Sequence, residues 1–399
     1  MGCSNSTPMK TQKEKTTVFL SKEMTFRIPG LIFDHERKIL LAFAEKRKCE
    51  KDSSSVALVM KAGNLTKAGN SWAVEWSDSK EVVKKKDLGG HRPMNPCPIY
   101  AKKRNTIYLF FIGVKGTTSE SHQICWGINE TRLYYIATKD GGETWSDHVD
   151  LTETLPEIKN WATFGVGPGH GIQSETGKLI VPAYAYPSCS SCCKSCRSCL
   201  ASLFCCCDSL CCTKCCPPPH ALIICGDNVE NFKCGNMLEQ TSLECEIAET
   251  STDQAKMLYC NARSQGGFRV EAFLDDCEGV LAPSKLVETN SGCQGSVVSF
   301  PAQPEEDGSN RGTPWLLYSH PTSKCKRVDL GLYLNKSPTN PSAWSNPWII
   351  NEGPSGYSDL TYIEDGWFAC LMECGEKTYT EEIACSLFSY DDIQKGITG

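Results

Sequence analysis

Short apolar runs broken by polar turns recur along the whole chain. The segments Ile39-Leu40-Leu41-Ala42-Phe43, Ile107-Tyr108-Leu109-Phe110-Phe111, Arg132-Leu133-Tyr134-Tyr135-Ile136 and Trp315-Leu316-Leu317-Tyr318 are rich in aromatic and branched side chains. Turn formers bound them: Asp34-His35, Lys115-Gly116, Asp140-Gly141-Gly142 and Thr313-Pro314. Runs of this length and composition predict β-strands. Apolar positions at a 3.6-residue spacing are scarce, so little helix is expected. The 32 glycines and 21 prolines suit the many tight connections such a chain needs. The predicted fold class is all-β.

One phrase narrows the architecture. Thr138-Lys139-Asp140-Gly141-Gly142-Glu143-Thr144-Trp145 follows a predicted strand and reads S/T-x-D-x-G-x-T-W. The aspartate can accept N–H groups of the turn, glycine supplies positive φ, and the tryptophan would pack back against the blade. The phrase resembles the Asp box, a hairpin signature of sialidase-type β-propellers that unrelated propellers also carry. A decayed copy lies at Gly226-Asp227-Asn228-Val229-Glu230-Asn231-Phe232, with Val229 where glycine is expected. Other repetition at a blade-length period is faint.

Between Tyr186 and His220 the pattern stops. Residues 187–219 hold 12 of the 26 cysteines and close on Pro217-Pro218-Pro219, which reads as an insertion looping out of the propeller. Multiple S-acylation ranks first, since Leu200, Leu203, Phe204 and Leu210 interleave the thiols as in a membrane-surface loop. A passive low-complexity expansion ranks second. Zinc ranks third: Cys193/Cys196 and Cys212/Cys215 are C-x-x-C pairs, but no regular four-ligand unit forms and His220 is the nearby histidine.

A net charge of −6 argues against a nucleic-acid partner. The longest apolar runs fall far below the ~20 residues of a membrane span. The N-terminal stretch has no apolar h-region, so a secretory signal is not expected. The 14 cysteines outside the insertion then read as reduced intracellular thiols, and the sequons at Asn5, Asn64 and Asn129 as coincidences. Met1-Gly2-Cys3-Ser4-Asn5-Ser6 fits an N-acylation signal at Gly2, with Cys3 as a thioester candidate. Two lipid anchors hold a protein at a membrane where one is marginal. The expected organisation is a flexible, acylated segment 1–20 and a propeller over 21–395. The expected localisation is peripheral on a membrane with a cytoplasmic pool, not secreted.

Several arginines stand beside apolar strands: Arg27 in Phe26-Arg27-Ile28-Pro29-Gly30, Arg263 in Asn261-Ala262-Arg263-Ser264, and Arg327 in Lys326-Arg327-Val328-Asp329-Leu330. Singly, each reads as a surface residue or a buried one with a partner. The charged run Glu45 to Asp52 reads singly as a solvated loop. Together they form a pattern with Arg92-Pro93-Met94-Asn95-Pro96-Cys97-Pro98, Val181 to Tyr186, Leu243-Glu244-Cys245, the segment 292–300, Gly356-Tyr357-Ser358-Asp359-Leu360 and Glu373. In that order, from residue 24 to about 388, the chain resembles the animal exo-α-sialidases. Within them it is more similar to the cytosolic and membrane-associated ganglioside enzymes than to the lysosomal one.

The resemblance implies a six-bladed β-propeller that hydrolyses terminal α-linked sialic acid from gangliosides, oligosaccharides and glycoproteins with retention. Arg27, Arg263 and Arg327 would clamp the sugar carboxylate, which guanidinium forks match in shape and charge. Glu373 would neutralise and orient Arg27. Tyr357 would be the nucleophile and Glu244 its base, because a phenol of pKa ~10 is otherwise un-ionised. A neutral phenol also avoids bringing a carboxylate nucleophile against a carbon that already bears one; sialidases depart in this way from other glycosidases. Asp52 would be the general acid and then base on a mobile loop, with a pKa above the ordinary ~3.9 when substrate covers it. Glu45, Arg47, Met94, Asn95, Tyr184, Tyr186 and Gln294 would line the sugar pocket. The resemblance implies neither a metal nor an organic cofactor. The contrasting reading is a catalytically silent sialoside-binding propeller, which would keep the arginines but have no use for Asp52, Tyr357 and Glu244.

Overall fold

The computed structural model describes residues 14–69, 71–188, 217–251, 255–275, 278–282, 284–303 and 312–399. The acylation candidates Gly2 and Cys3 and the cysteine-rich stretch 189–216 lie outside the described residues.

The predicted runs are strands, extended mainly at their C-terminal ends: Ile39–Arg47, Thr106–Lys115, Thr131–Thr138 and Trp315–Pro321. They assemble into six antiparallel blades. Blade I is Thr25–Asp34, Ile39–Arg47, Ser55–Ala68 and Ser71–Trp76; blade II is His91–Ala101, Thr106–Lys115, Thr131–Thr138 and Val149–Asp150. Blade III is Trp161–Val166, Leu179–Pro187, His220–Gly226 and Lys233–Cys234; blade IV is Cys245–Ser251, Lys256–Ala262, Val270–Asp275 and Glu278–Ala282. Blade V is Ser296–Phe300, Trp315–Pro321, Val328–Asn335 and the first part of Trp348–Tyr362. The second part of that long strand starts blade VI, followed by Trp367–Cys374 and Glu382–Ser389.

The outer strand of blade VI comes from the other end of the chain. Thr16–Leu20 pairs antiparallel with Glu382–Ser389, matching Thr16 to Cys385 and Leu20 to Glu382. This corrects the expectation of a flexible segment as far as residue 20. Only Val18 and Phe19 are buried in this strand, too little apolar pattern to announce it, and a circle of blades needs some strand to close it.

The hydrophobic core is divided among the blades. Six buried clusters each bridge two neighbours, such as Phe43, Leu58, Phe111 and Tyr134 between blades I and II, or Phe300, Leu317, Phe368 and Phe388 between V and VI. Both faces of a blade are thus covered, which is why the strands read as continuous apolar runs rather than alternating ones. In the Asp box, Asp140 accepts from Thr144 N at 3.0 and 3.1 Å, and Gly141 and Gly142 have φ of 72° and 85°. Trp145 packs into the cluster between blades I and II, its ring 6.1 Å from that of Phe43. At the decayed copy, Asn228 Oδ1 instead caps a short 3-10 turn by accepting from Glu230 N and Asn231 N.

The insertion leaves from Leu179–Pro187 and returns in His220–Gly226, strands paired side by side through Ala185 and His220. It therefore replaces a hairpin turn of blade III without altering the sheet. Cys97, Cys245, Cys293 and Cys370 are unbridged, as expected outside the insertion, but Cys125 is disulfide-bonded. That corrects the reading of all such cysteines as reduced; nothing in the spacing marked a bridged one.

Phe19 is 2% exposed and stacks on Phe26. Phe19→Ala is expected to lower unfolding stability by roughly 3–5 kcal/mol, the usual cost of deleting a buried ring, read from the urea midpoint. A midpoint equivalent to wild type would show that the terminal strand does not close the ring.

Candidate active site

At one end of the propeller axis three inner strands are interrupted by bulges, at Arg27/Gly30, Met94/Cys97 and Ser355/Ser358. A bulge breaks side-chain alternation and re-aims the residues next to it. Ile28 and Asn95 have φ of 62° and 56°, a conformation costly for a side chain like isoleucine. Buried carboxylates hold both: Ile28 N donates to Glu373 Oε1 and Asn95 N to Glu45 Oε1, each at 2.8 Å.

Glu373 also receives the Arg27 guanidinium, Nε at 2.6 Å and Nη2 at 3.1 Å, and its second oxygen accepts from Tyr357 N at 3.1 Å. Arg263 and Glu244 are neighbours because the Cys245–Ala262 register continues outward, with Leu243 N bonded to Arg263 O at 2.8 Å. Arg263 Nη1 donates to Glu244 Oε2 at 2.9 Å and to Tyr357 Oη at 3.1 Å; its Nη2 donates to Ser291 O at 2.7 Å. Arg327 Nη2 donates to Gly292 O at 2.8 Å. The Arg27 and Arg327 guanidinium carbons lie 5.6 and 5.3 Å from the Tyr357 ring centre. Three cations thus share two carboxylates around one phenol, an arrangement with room for one more anionic group.

Tyr357 Oη donates to Glu244 Oε1 at 2.5 Å. Burial, and then the Glu244 carboxylate, push the phenol well above its ordinary pKa, while Arg263 and Arg327 act in the opposite sense. At rest the tyrosine is therefore neutral, with an acceptor already on its proton.

Asp52 lies in a short 3-10 turn and is 71% exposed in its side chain. Arg47 anchors it: Nη1 lies 2.6 Å from Asp52 Oδ1 and donates to Glu50 O at 2.9 Å. Arg47 is itself buried against Glu45, with Nε and Nη2 each 2.7 Å from Oε2. Glu45 thus holds Arg47 and Asn95 in place rather than facing the funnel. Asn95 Nδ2 donates to Val166 O at 3.2 Å, and Met94 is buried beside it. Tyr184 and Tyr186 meet edge to face, 6.5 Å between ring centres. Burial and then the nearby Glu120 carboxylate raise both phenols. Gln294 does not reach the pocket: it is 1% exposed, its Oε1 accepts from Ser358 N and its Nε2 donates to Pro168 O and Glu246 Oε1, each at 3.1 Å.

Two residues at the site were not legible in the sequence. Tyr379 packs under the clamp, 5.3 Å from the Arg27 guanidinium and 5.6 Å from that of Arg327. Glu120 opens the short helix Glu120–Trp126, capped by Ser119. Much of its surface is open to solvent; desolvation, then the Glu244 and Asp52 carboxylates, raise its carboxyl pKa, an effect that this exposure limits. The Ser119-Glu120 cap was the available signal, but nothing in it pointed to the site.

A cavity of about 970 Å³ lies at the far end of the same inner strands, lined in part by His35, Lys102, Glu175, Glu249 and Lys256. Lys256 and Glu175 pair there at 2.9 Å and Glu249 accepts from Glu175 N at 2.9 Å. Among the described residues one trio could ligate a metal, His170, Glu246 and Asp359. His170 Nδ1 and Asp359 Oδ1 are 2.7 Å apart, a hydrogen-bond separation, so the trio is a hydrogen-bonded network.

A family profile described as a BNR repeat-like domain matches residues 40–370. Sialidase-3 of Bos taurus is 40% identical over 435 residues, covering 100% of this chain and 95% of the relative. Sialidase-2 of Mus musculus is 40% identical over 390 residues, covering 94% of this chain and 95% of the relative. Among solved structures, the Hadza microbial sialidase Hz136 superposes with a TM-score of 0.71 at 19% identity, over 92% of this chain and 66% of that one, which supports the fold.

With its pKa raised, Glu120 gains its charge closer to neutrality than an ordinary carboxyl does. An anionic substrate should therefore bind more weakly as pH rises toward neutrality. Glu120→Gln should remove that limb of the KM profile and lower KM at pH 8 by up to about 5-fold, the scale of an exposed charge pair. An unchanged KM profile in the variant would remove Glu120 from substrate entry.

Proposed function

This chain belongs to the animal sialidase family, and we propose that it is a retaining exo-α-sialidase acting through Tyr357, Glu244 and Asp52. The observation that carries the reading is the 2.5 Å contact between a buried phenol and a carboxylate inside a ring of three arginines. The arginines receive the sugar carboxylate and hold the anomeric carbon over Tyr357 Oη. Tyr357 attacks that carbon as its proton passes to Glu244, while Asp52 protonates the glycosidic oxygen and the aglycone leaves. In the second half, Asp52 takes a proton from water, whose oxygen attacks the same carbon from the face the aglycone left. The bond to Tyr357 breaks and Glu244 returns the proton. Two displacements give net retention.

Asp52 is open to solvent without substrate, so the cover that would tune it as an acid comes from the bound glycoside. Tyr184 and Tyr186 offer apolar faces with polar tips to the sugar substituents. A sialoside-binding propeller without turnover would need the clamp alone, and would leave unexplained a phenol aimed at a carboxylate beneath it.

The substrates proposed are sialylated glycolipids, gangliosides among them, together with oligosaccharides and glycoproteins. Attachment to a membrane through acylated Gly2 and Cys3, with the cysteine-rich insertion as a second anchor, would place enzyme and glycolipid on one surface. Gly2→Ala combined with removal of residues 188–216 should then move the protein to the soluble fraction; persistent membrane association of that variant would eliminate lipid anchoring.

With a fluorogenic sialoside, Tyr357→Phe should lower kcat by at least about 10³-fold, the loss expected for a missing nucleophile. Sialic acid should still bind to the variant within a few-fold of wild type. Turnover near wild type would reject Tyr357 as the nucleophile, and binding without turnover in wild type would favour the lectin reading.

A further inference from the structure

Beneath the catalytic pair the same strands bring together a second pair. Glu246 follows Glu244 by two residues and Asp359 follows Tyr357 by two, and both are 0% exposed. At about 3.3 Å per strand residue, the second pair lies roughly one pleat repeat deeper along the axis. The reaction as derived above uses neither carboxylate.

This layer is fully engaged. Asp359 Oδ1 meets His170 Nδ1 at 2.7 Å and accepts from Ser296 Oγ at 2.9 Å, while Oδ2 accepts from Leu31 N at 2.6 Å. Glu246 Oε2 accepts from Val297 N at 3.0 Å and lies 3.5 Å from His170 Nδ1; Oε1 accepts from Gln294 Nε2 at 3.1 Å. Gln294 Oε1 accepts from Ser358 N at 3.1 Å, and Ser296 Oγ accepts from Leu360 N at 2.9 Å. The contacts thus join blades I, IV, V and VI and the segment that follows the first strand of blade III. Packing leaves no slack: a Cβ on Gly169 would fall 1.6 Å from Glu246 Oε1. Burial, and then the facing Asp359 carboxylate, hold the Glu246 carboxyl well above the usual range, so the acid pair retains a proton.

The six apolar clusters between blades already supply a core, and buried charge is a poor way to add stability, since apolar residues of similar volume often do as well or better. What a satisfied polar network adds is a single geometry. We propose that the His170–Asp359–Glu246 layer is a positioning device for the reaction, fixing the strands that carry Tyr357 and Glu244 so that phenol and base stay in contact. The proposal rests on the reading of Tyr357 as nucleophile and Glu244 as base. Misplacing reacting groups by about 1 Å can cost on the order of 10²-fold in rate. The arginine clamp hangs on other contacts, Arg27 on Glu373, Arg263 on Ser291 O and Arg327 on Gly292 O, so binding should be spared.

The test compares Asp359→Asn, Ser296→Ala, Glu246→Leu and Glu246→Gln in the full chain, with Tyr357→Phe as control. Active sites are titrated with 2,3-difluorosialic acid, whose fluorine at C3 slows breakdown of a glycosyl-enzyme, and thermal midpoints are recorded. Asp359→Asn and Glu246→Leu should lose roughly 10- to 100-fold in kcat per titrated site with KM within about 3-fold. Ser296→Ala, which removes a single oxygen, should lose several-fold in the same way. Glu246→Gln imitates the protonated acid and should restore kcat to within about 3-fold of wild type. If kcat per titrated site is unchanged and only thermal midpoints fall, the layer is structural and the proposal is overturned; Ser296→Ala decides this should the other variants fail to fold. An active Tyr357→Phe would instead overturn the reading of the site itself.

Discussion

The carboxylate of Glu373 is the joint on which the rest depends. It is completely buried and receives Arg27 Nε and Nη2, Ile28 N and Tyr357 N. Arg27 and Ile28 come from the first blade and Tyr357 and Glu373 from the last, so this one group closes the ring at the level of the site. It also compensates the left-handed backbone of Ile28, which turns Arg27 toward the axis. Removing one partner of such a pair would leave a charge stranded in the core, typically a loss of 3–5 kcal/mol. Closure by Thr16–Leu20 at the rim and by Glu373 at the centre are two parts of one constraint.

Placing the chemistry on the axis explains its electrostatics. Strands and loops of several blades contribute polar groups to a space that apolar blade interfaces surround, and there charge interactions are weakly screened. The phenol is kept neutral by burial and by Glu244, yet it lies among arginines that favour its ionised form, so the proton has little distance to travel and a stabilised state to reach. Asp52, by contrast, is carried on an open turn held by Arg47.

The strand pattern was legible because most strands are buried on both faces and stand out as apolar runs, and the Asp box because its aspartate and glycines are demanded by one turn. The arginines were visible only as isolated oddities; their convergence follows from blades brought together around a circle, which local spacing does not encode. The same limit hid Glu120 and Tyr379, which reach the site from a seven-residue helix and a loop with no pattern pointing there, and Thr16–Leu20, too short to show a period. Gln294 stands close to the site in sequence order but its amide is taken up in the buried layer below, bonded to Ser358 N, Pro168 O and Glu246 Oε1. Residues 187–219 announced themselves by composition, and the paired strands on either side show why the sheet tolerates them.

The central claim is that Tyr357 forms the covalent bond to the sugar. Reacting the full chain with 2,3-difluorosialic acid, then mapping the adduct by peptide mass spectrometry, addresses it directly. One added 3-fluorosialosyl group is expected on Tyr357, the C2 fluoride having left, formed in wild type and missing in Tyr357→Phe. An adduct on Glu244 or Asp52, or hydrolysis that proceeds with inversion and without any adduct, would contradict it.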